Sequence, residues 1–346
     1  MKLKFLCMEL SGTGGTETVL LKVLNRLCDR YNIELILTNT PQQPDFLTKL
    51  DPKIEVSICA GKLNKLLAIT KKFCLASSDT CFISLSPKMI KLGAKIRKLF
   101  HRKYKIISWI HFSLDDQDMF DAKGTIPLAD GHLAISSTIK EQLLSYGVPE
   151  EKIGLIFNPI EPVKASIPTT TDQIIPHFFY AGRIIFEGQK NLKEMLDALA
   201  QTSQVTLDIF GTGPDMDRCQ AYARELKIDH RVIWHGYTTD LWHQIRKRPT
   251  ALLITSTYEG LPMIMLEAIA HGIPVICSQF NGYQDVLHTG INGFSYPLHN
   301  VTMLVEQIAK LVSSPLDEQE IKQSIQAFYP EKYFKNFENS ILKFTK

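Results

Sequence analysis

The stretch ALLITSTYEGLPMIMLEAIAHGIPVIC, residues 251–277, contains a complete strand–helix–strand unit. It opens on a short apolar run, crosses a polar loop, enters an apolar helical segment at Pro262 and ends in a second apolar run near 275–277. Proline suits the first turn of a helix, where its missing N–H leaves no bond unmade. Strands covered on both faces read as unbroken hydrophobic runs, so this order predicts a parallel crossover. The same alternation continues outward. Further strands are expected at 178–181, 206–210, 232–234 and 294–296, and in the first half at 3–9, 33–37, 54–58, 81–84, 106–109 and 131–135. Helices such as 17–30 and 137–146 fill the gaps. The pattern predicts an α/β protein with two facing, doubly wound parallel sheets.

Composition agrees with two domains. A chain of 346 residues is too long for one ordinary core, and 45% hydrophobic with 22% charged residues excludes disorder. SIPTTTDQIIP, residues 166–176, reads as a linker between an N-terminal domain at 1–160 and a second at 176–314. The aromatic-rich segment 315–346 is expected to be a helical tail that crosses back to the first domain. Seven cysteines without a CxxC pair indicate reduced thiols and a cytoplasmic protein. The start, MKLKFLCMELSG, reads as a first strand and not a signal peptide, because it runs into a glycine-rich loop. Every apolar run falls short of the ~20 residues that cross a bilayer.

Charge is divided unevenly. Residues 1–158 carry 22 Lys and Arg against 16 Asp and Glu, whereas 159–346 carry 17 against 20. The basic excess lies at 62–72 and above all at 88–105, where lysines and arginines interleave with apolar residues. A basic amphipathic helix of this kind can lie on anionic lipid or hold an anionic acceptor, and a solvated helix face is the alternative. Nucleic acid is not expected, since the lysines lack interleaved stacking aromatics.

In open parallel sheets, ligands bind beyond the carboxyl ends of the strands. Three groups of residues fall there. The loop SGTGGTE, 11–17, offers the Gly14 and Gly15 backbone at a helix N-terminus. It does not fit a dinucleotide fingerprint, because Glu17 takes the place of the last glycine. The loop YAGRIIFEGQKN, 180–191, places Arg183 and Lys190 across a turn where both can face one anionic leaving group. Beyond 251–255, Glu259 and Glu267 stand in an E-x7-E arrangement around the amides of 260–263 and can accept hydrogen bonds from sugar hydroxyls. A glutamate buried in so apolar a helix costs several kcal/mol unless paired, which predicts a ligand partner for Glu267. Gly211 and Gly213, with His235, Gly236 and Tyr237, read as walls of a pocket for a flat base.

Together GGTE (14–17), GRIIFEGQKN (182–191), FGTGPD (210–215), HGY (235–237) and YEGLPMIMLEAIAHGIPVI (258–276) resemble the retaining family 4 glycosyltransferases, which have the GT-B fold. ISWIHFSLDD (107–116), HLAISSTIKEQL (132–143), IFNP (156–159) and CQAYARELKID (219–229) are further similar to bacterial lipopolysaccharide core 1,6-galactosyltransferases. Ile110 departs from that pattern, where proline is expected.

The resemblance implies a nucleotide sugar, such as UDP-galactose, as donor and a lipopolysaccharide core sugar as acceptor, at the inner face of the cytoplasmic membrane. It implies that Arg183 and Lys190 bind the donor diphosphate near Gly14 and Gly15, that Glu267 holds the ribose and that Glu259 holds the transferred sugar. Gly260, Leu261, Pro262 and Met263 would line the donor, His111 would reach the donor sugar, and Asp115 would meet the acceptor hydroxyl or the donor sugar. No metal or other cofactor is expected, since Arg183 and Lys190 supply the positive charge.

Three other readings bear on the same residues. One is a glycosyltransferase using UDP-glucose or UDP-N-acetylglucosamine on another cell-surface glycan. The second is a UDP-sugar 2-epimerase-like enzyme, which has no glycan acceptor and no need of the basic helix. The third is a nucleotide-sugar binding protein without turnover, against which the full set Arg183, Lys190, Glu259 and Glu267 speaks. A glycosidase fails because hydrolases do not need loops built for a diphosphate.

Overall fold

The structure is a computed structural model that describes every residue except 9, 11–14, 60, 113, 116–119 and 169–174, and the side chains of 62–64. The chain divides into two compact units, Met1–Pro159 with Pro330–Lys346, and Ile160–Tyr329.

The first unit holds a sheet of seven strands: β1 (Lys2–Cys7), β2 (Asn32–Leu37), β3 (Glu55–Ile58), β4 (Thr80–Ser84), β5 (Lys105–Ile110), β6 (Gly131–Ala134) and β7 (Ile153–Leu155). Their order is β3-β2-β1-β4-β5-β6-β7 and every pairing is parallel. β7 was not expected, because three residues are too few to show a period. Buried side chains fill both faces of the central strands, so Phe5, Phe82, Ile106 and Trp109 are all shut off from solvent. The expected basic helix at 88–105 is shorter than predicted: it spans Pro87–Leu99, and Lys105 opens β5. Its Arg97 is ion-paired with Asp130 and donates to the Tyr104 carbonyl at 3.2 Å. Leu99 and Phe100 at the helix end are exposed.

The expected C-terminal tail divides at Pro330. Residues 315–329 remain with the second unit, while the helix Pro330–Thr345 packs on β5, β6 and β7. Tyr333, Phe337 and Ile341 are buried there, and the Phe337 ring meets Trp109 edge-on at 5.4 Å. A Cβ on Gly131 in β6 would lie 2.2 Å from the Phe344 ring, so glycine is what lets the helix approach the sheet this closely.

The second unit repeats the winding with β8 (His177–Ala181), β9 (Thr206–Phe210), β10 (Val232–Gly236), β11 (Ala251–Ile254), β12 (Val275–Ser278) and β13 (Gly293–Tyr296). Their order is β10-β9-β8-β11-β12-β13, again all parallel. The strand order reverses between β8 and β11, so the loops leaving these neighbours diverge and open a crevice at their carboxyl ends. Both central loops singled out in the sequence leave from this point.

Candidate functional site in the second unit

The loop after β8 runs to the helix Leu192–Gln201, and the loop after β11 runs to the helix Met263–Ala270. The two are stitched together. Thr257 N–H donates to the Gln189 carbonyl at 2.9 Å, Thr257 Oγ1 to the Gly188 carbonyl at 3.1 Å, and Thr255 Oγ1 to the Lys190 carbonyl at 3.0 Å. At their junction Lys190 Nζ lies 2.6 Å from Glu259 Oε1, which also accepts from Ser256 Oγ at 2.6 Å. Both ionic side chains are mostly buried. Lys190 and Glu259 were expected on different parts of one ligand; the structure joins them as an ion pair. An ammonium has three donors, so Lys190 can bridge Glu259 and an incoming anion.

Arg183 is exposed on the same β8 loop. Its backbone is fixed from below, because the buried Tyr180 Oη donates to the Arg183 carbonyl at 2.7 Å. A third loop, after β9, holds the segment from the side. Gly182 N–H donates to the Phe210 carbonyl at 2.9 Å, Ile184 N–H to the Thr212 carbonyl at 3.0 Å, and Phe186 N–H to Asp215 Oδ2 at 2.9 Å. A Cβ on Gly211 would stand 1.9 Å from the Gly182 carbonyl oxygen, and one on Gly213 2.0 Å from that of Ile184. These glycines were read as room for a base; the atoms they approach are the backbone of the Arg183 loop.

His235 and Gly236 belong to β10 itself, where a strand ending at 234 was expected. The His235 ring stacks on Phe210 at 4.3 Å, with Nε2 3.3 Å from Asp208 Oδ1. Asp208 also receives His177 Nε2 at 2.8 Å, and despite partial burial its carboxyl is held below the usual range by these two imidazoles. Gly236 takes φ +72°, a left-handed turn that glycine favours, and its carbonyl accepts from Gly211 N–H at 2.7 Å. Tyr237 beyond it is exposed.

The helix that carries Glu267 corrects two expectations. Pro262 is its N-cap in extended conformation, one position earlier than expected, and having no N–H it adds no donor beside Gly260, Leu261 and Met263. Glu267 is partly and not fully buried, and it already has a partner within the unit. The Trp242 indole Nε1–H donates to Glu267 Oε2 at 3.1 Å.

In the first unit, Gly15 opens the helix Gly15–Leu27, whereas Gly14 lies outside the described residues. His111 follows β5 and packs against Trp109 at 4.7 Å between ring centres. Its Nε2 is shut off from solvent with no hydrogen-bond partner among the described residues, and burial pushes the imidazole down to about 3, so the ring is neutral at pH 7. It can exchange a hydrogen bond with a sugar hydroxyl but brings no positive charge. Asp115 is exposed and accepts from Tyr146 Oη at 2.8 Å.

Among the described residues, no group of three or more His, Cys, Asp or Glu is placed to hold a metal ion. Of the two Asp-x-Asp tripeptides, 116–118 lies outside the described residues, and Asp215 is engaged by Phe186 N–H. Ser256 and Trp242 were not recognised in the sequence, and Asp215 was read there only as part of an Asp-x-Asp tripeptide and of the FGTGPD segment. Asp215 alone carried a usable signal, as an aspartate just before a helix, the Met216–Glu225 helix, whose carboxylate turns to a neighbouring loop instead of capping.

Two Rossmann-like sheets, with a cationic loop and an acidic loop meeting at the switch point of the second, define a glycosyltransferase of the GT-B class. Residues 170–328 match the family described as glycosyl transferases group 1. The chain is 34% identical to the lipopolysaccharide 1,6-galactosyltransferase of Salmonella typhimurium over 356 residues, covering 99% of this chain and 98% of that one. The Escherichia coli K12 protein of the same name is 33% identical with the same coverage. A solved lipopolysaccharide outer core galactosyltransferase in its apo form superimposes with a TM-score of 0.87 at 34% identity, covering 99% of both chains. An Anabaena protein crystallised with UDP shares the fold, with a TM-score of 0.79 at 18% identity, covering 99% of this chain and all of that one. The chain belongs to the group 1 glycosyltransferases, in the branch that holds these lipopolysaccharide 1,6-galactosyltransferases.

Proposed function

We propose that the protein transfers galactose from UDP-galactose to a sugar of the lipopolysaccharide core, forming an α linkage with retention of anomeric configuration, as in family 4. The observation that carries this reading is the junction of Lys190 with Glu259, which brings a cation for the leaving diphosphate beside an acceptor for sugar hydroxyls. The activity for which the two relatives matched over their whole length are named supports the choice of galactose and of the core acceptor.

Arg183 and Lys190 neutralise the charge that grows on the diphosphate as the glycosidic bond breaks, the point at which preorganised charge lowers a barrier most. Glu267 binds the ribose hydroxyls, Glu259 those of galactose, and the amides of 260, 261 and 263 line the donor. Gly211, Gly213, His235, Gly236 and Tyr237 border the base. Neutral His111 hydrogen-bonds to the donor sugar, and Asp115 receives the acceptor hydroxyl. No protein nucleophile is required if the departing phosphate oxygen takes the acceptor proton on the same face, so the protein supplies position and electrostatics. With the two cations in that role, the reaction runs without a metal.

The acceptor is carried by a lipid, and the enzyme works at the cytoplasmic face of the membrane as a peripheral protein. No helix of the described residues is long and apolar enough to cross a bilayer. The exposed Leu99 and Phe100 at the end of the basic Pro87–Leu99 helix support the peripheral contact.

Incubating the purified protein with UDP-galactose, UDP-glucose and UDP-N-acetylglucosamine, each with a truncated core oligosaccharide, tests the reading. The expected product is a galactosyl-extended oligosaccharide with an α-1,6 linkage, formed equally in EDTA. Free sugar with no extended glycan under every condition removes the transferase assignment, and extension with another hexose removes the galactose assignment.

A further inference from the structure

Among the interactions of Glu267, the hydrogen bond from Trp242 has a geometry that bears on what its carboxylate can do. Trp242 lies on the short helix Leu241–Gln244, far from Glu267 in sequence, and donates from Nε1 to Glu267 Oε2 at 3.1 Å. The indole is itself fixed on two sides. Its ring stacks on His271 with centroids 3.8 Å apart and planes 12° from parallel, and it meets Phe179 edge-on at 6.1 Å. His271 is tied to the same glutamate residue from behind, for its Nδ1 lies 2.8 Å from the Glu267 carbonyl oxygen. A carbonyl only accepts, so Nδ1 carries the hydrogen. Burial lowers the affinity of this imidazole for a second proton, which leaves a neutral ring against the indole at pH 7.

From this we infer that Trp242 is a positioning residue for the nucleotide: it fixes the plane of the Glu267 carboxylate so that its remaining acceptor capacity faces the ribose hydroxyls. An indole N–H donates and never accepts, so it anchors one oxygen without competing for the hydroxyl protons of a ligand. A terminal carboxylate torsion is otherwise broad and roughly two-fold, so without the anchor the carboxylate would lose orientation on binding. The effect belongs to donor affinity and not to the chemical step, because the ribose does not change during transfer. The inference rests on the reading of Glu267 as the ribose holder.

The experiment measures dissociation constants of UDP and of 2′,3′-dideoxy-UDP for the full-length wild type, Trp242→Phe and Glu267→Gln. Phenylalanine keeps an aromatic ring against His271 and removes only the donor. The quantity read is the ratio of the two constants, which is independent of any fraction of unfolded protein. The wild type should prefer UDP clearly, and Trp242→Phe should shrink that preference about fivefold by weakening UDP alone. It should also raise the donor KM by a similar factor with kcat little changed. If Trp242→Phe weakens both ligands equally, or leaves the preference intact while Glu267→Gln abolishes it, the inference is overturned and the ribose reading stands. If the wild type shows no preference and Glu267→Gln binds UDP normally, the ribose reading itself falls.

Discussion

The two sheets share one winding, yet the residues beyond equivalent strands differ in kind. β4 and β11 are each the fourth strand of their sheet and each neighbour the first. Ser84 ends β4 and Ser86 follows it, and their side-chain bond is local, Ser84 Oγ donating to the Ser86 carbonyl at 2.8 Å and accepting from Ser86 N–H. After β11 stand Ser256 and Glu259, bound to each other and through Glu259 to Lys190 on the neighbouring loop. After β5 the first unit offers neutral His111. The topology supplies a crevice in each unit, and the side chains decide its chemistry. A diphosphate leaving group needs fixed cations, while a sugar hydroxyl needs only neutral donors and acceptors, and among the described residues that follow these strands the second unit supplies the paired charge.

The largest expected effect separates the two cations of that unit. Arg183→Ala should lower kcat/KM about 100-fold, near 3 kcal/mol of transition-state stabilisation, with an unchanged melting temperature because the side chain is exposed. Lys190→Met should lose as much activity and also melt earlier, because it leaves Glu259 enclosed without its counterion. Initial rates together with thermal unfolding check both. Unchanged melting in Lys190→Met would show that the pair carries no structural weight and would blur the contrast with the first unit.

Gly213→Ala comes next. The added carbon would stand 2.0 Å from a backbone carbonyl that no rotamer change can move aside, so the loop after β9 must separate from the Arg183 loop. The expected cost is about 3 kcal/mol, the upper range for overpacking, and donor affinity should fall with it. Gly236→Ala is the sharper control. It has open space around the new carbon and suffers only from φ +72°, so about 1 kcal/mol is expected. Denaturant unfolding of the two variants distinguishes packing between loops from backbone strain.

How much of this was legible depended on the range of the interactions. Apolar runs placed the strands of both sheets to within a few residues, because burial on both faces writes itself into consecutive positions. β7 escaped because it is short, and the basic helix was overextended because Lys105, although charged, begins a strand. At the site, the cationic and acidic loops could be read from glycines and charge, but their direct pairing could not. Lys190 meets Glu259 only because β8 and β11 are neighbours, which is a property of strand order and not of local sequence. Asp215 and Trp242 act across loops in the same way, and nothing near them in the chain names their partners.

Acid sensitivity tests the neutral character of the first unit. His132 on β6 lies buried with Nδ1 2.7 Å from Ser108 Oγ, and burial pushes it down to about 4, with Lys152 acting in the same direction and Asp130 opposing. An unfolded imidazole titrates near 6.5, so below that pH the unfolded chain binds a proton that the folded chain refuses. Stability is therefore complete above about pH 6.5 and falls as pH drops toward 4, by about 2 kcal/mol at pH 5 from this residue. Thermal unfolding between pH 7 and 5 should show the loss, and His132→Gln should remove this residue's share of it, leaving that of the buried His111. An unchanged slope would mean that other groups set the acid limit of this unit.

The smallest effect bears most directly on the division of labour between the units. Asp115 is exposed and its Tyr146 partner can donate as well to an amide oxygen, so Asp115→Asn should shift stability by less than about 0.5 kcal/mol. If Asp115 receives the acceptor hydroxyl, removing its charge should raise the KM for the core oligosaccharide about threefold, the scale of one weakened hydrogen bond. The KM for UDP-galactose should not move. Initial rates with each substrate varied in turn decide the point, and a shift in donor KM with none in acceptor KM would place Asp115 on the donor side and undo the proposed assignment of the acceptor to the first unit.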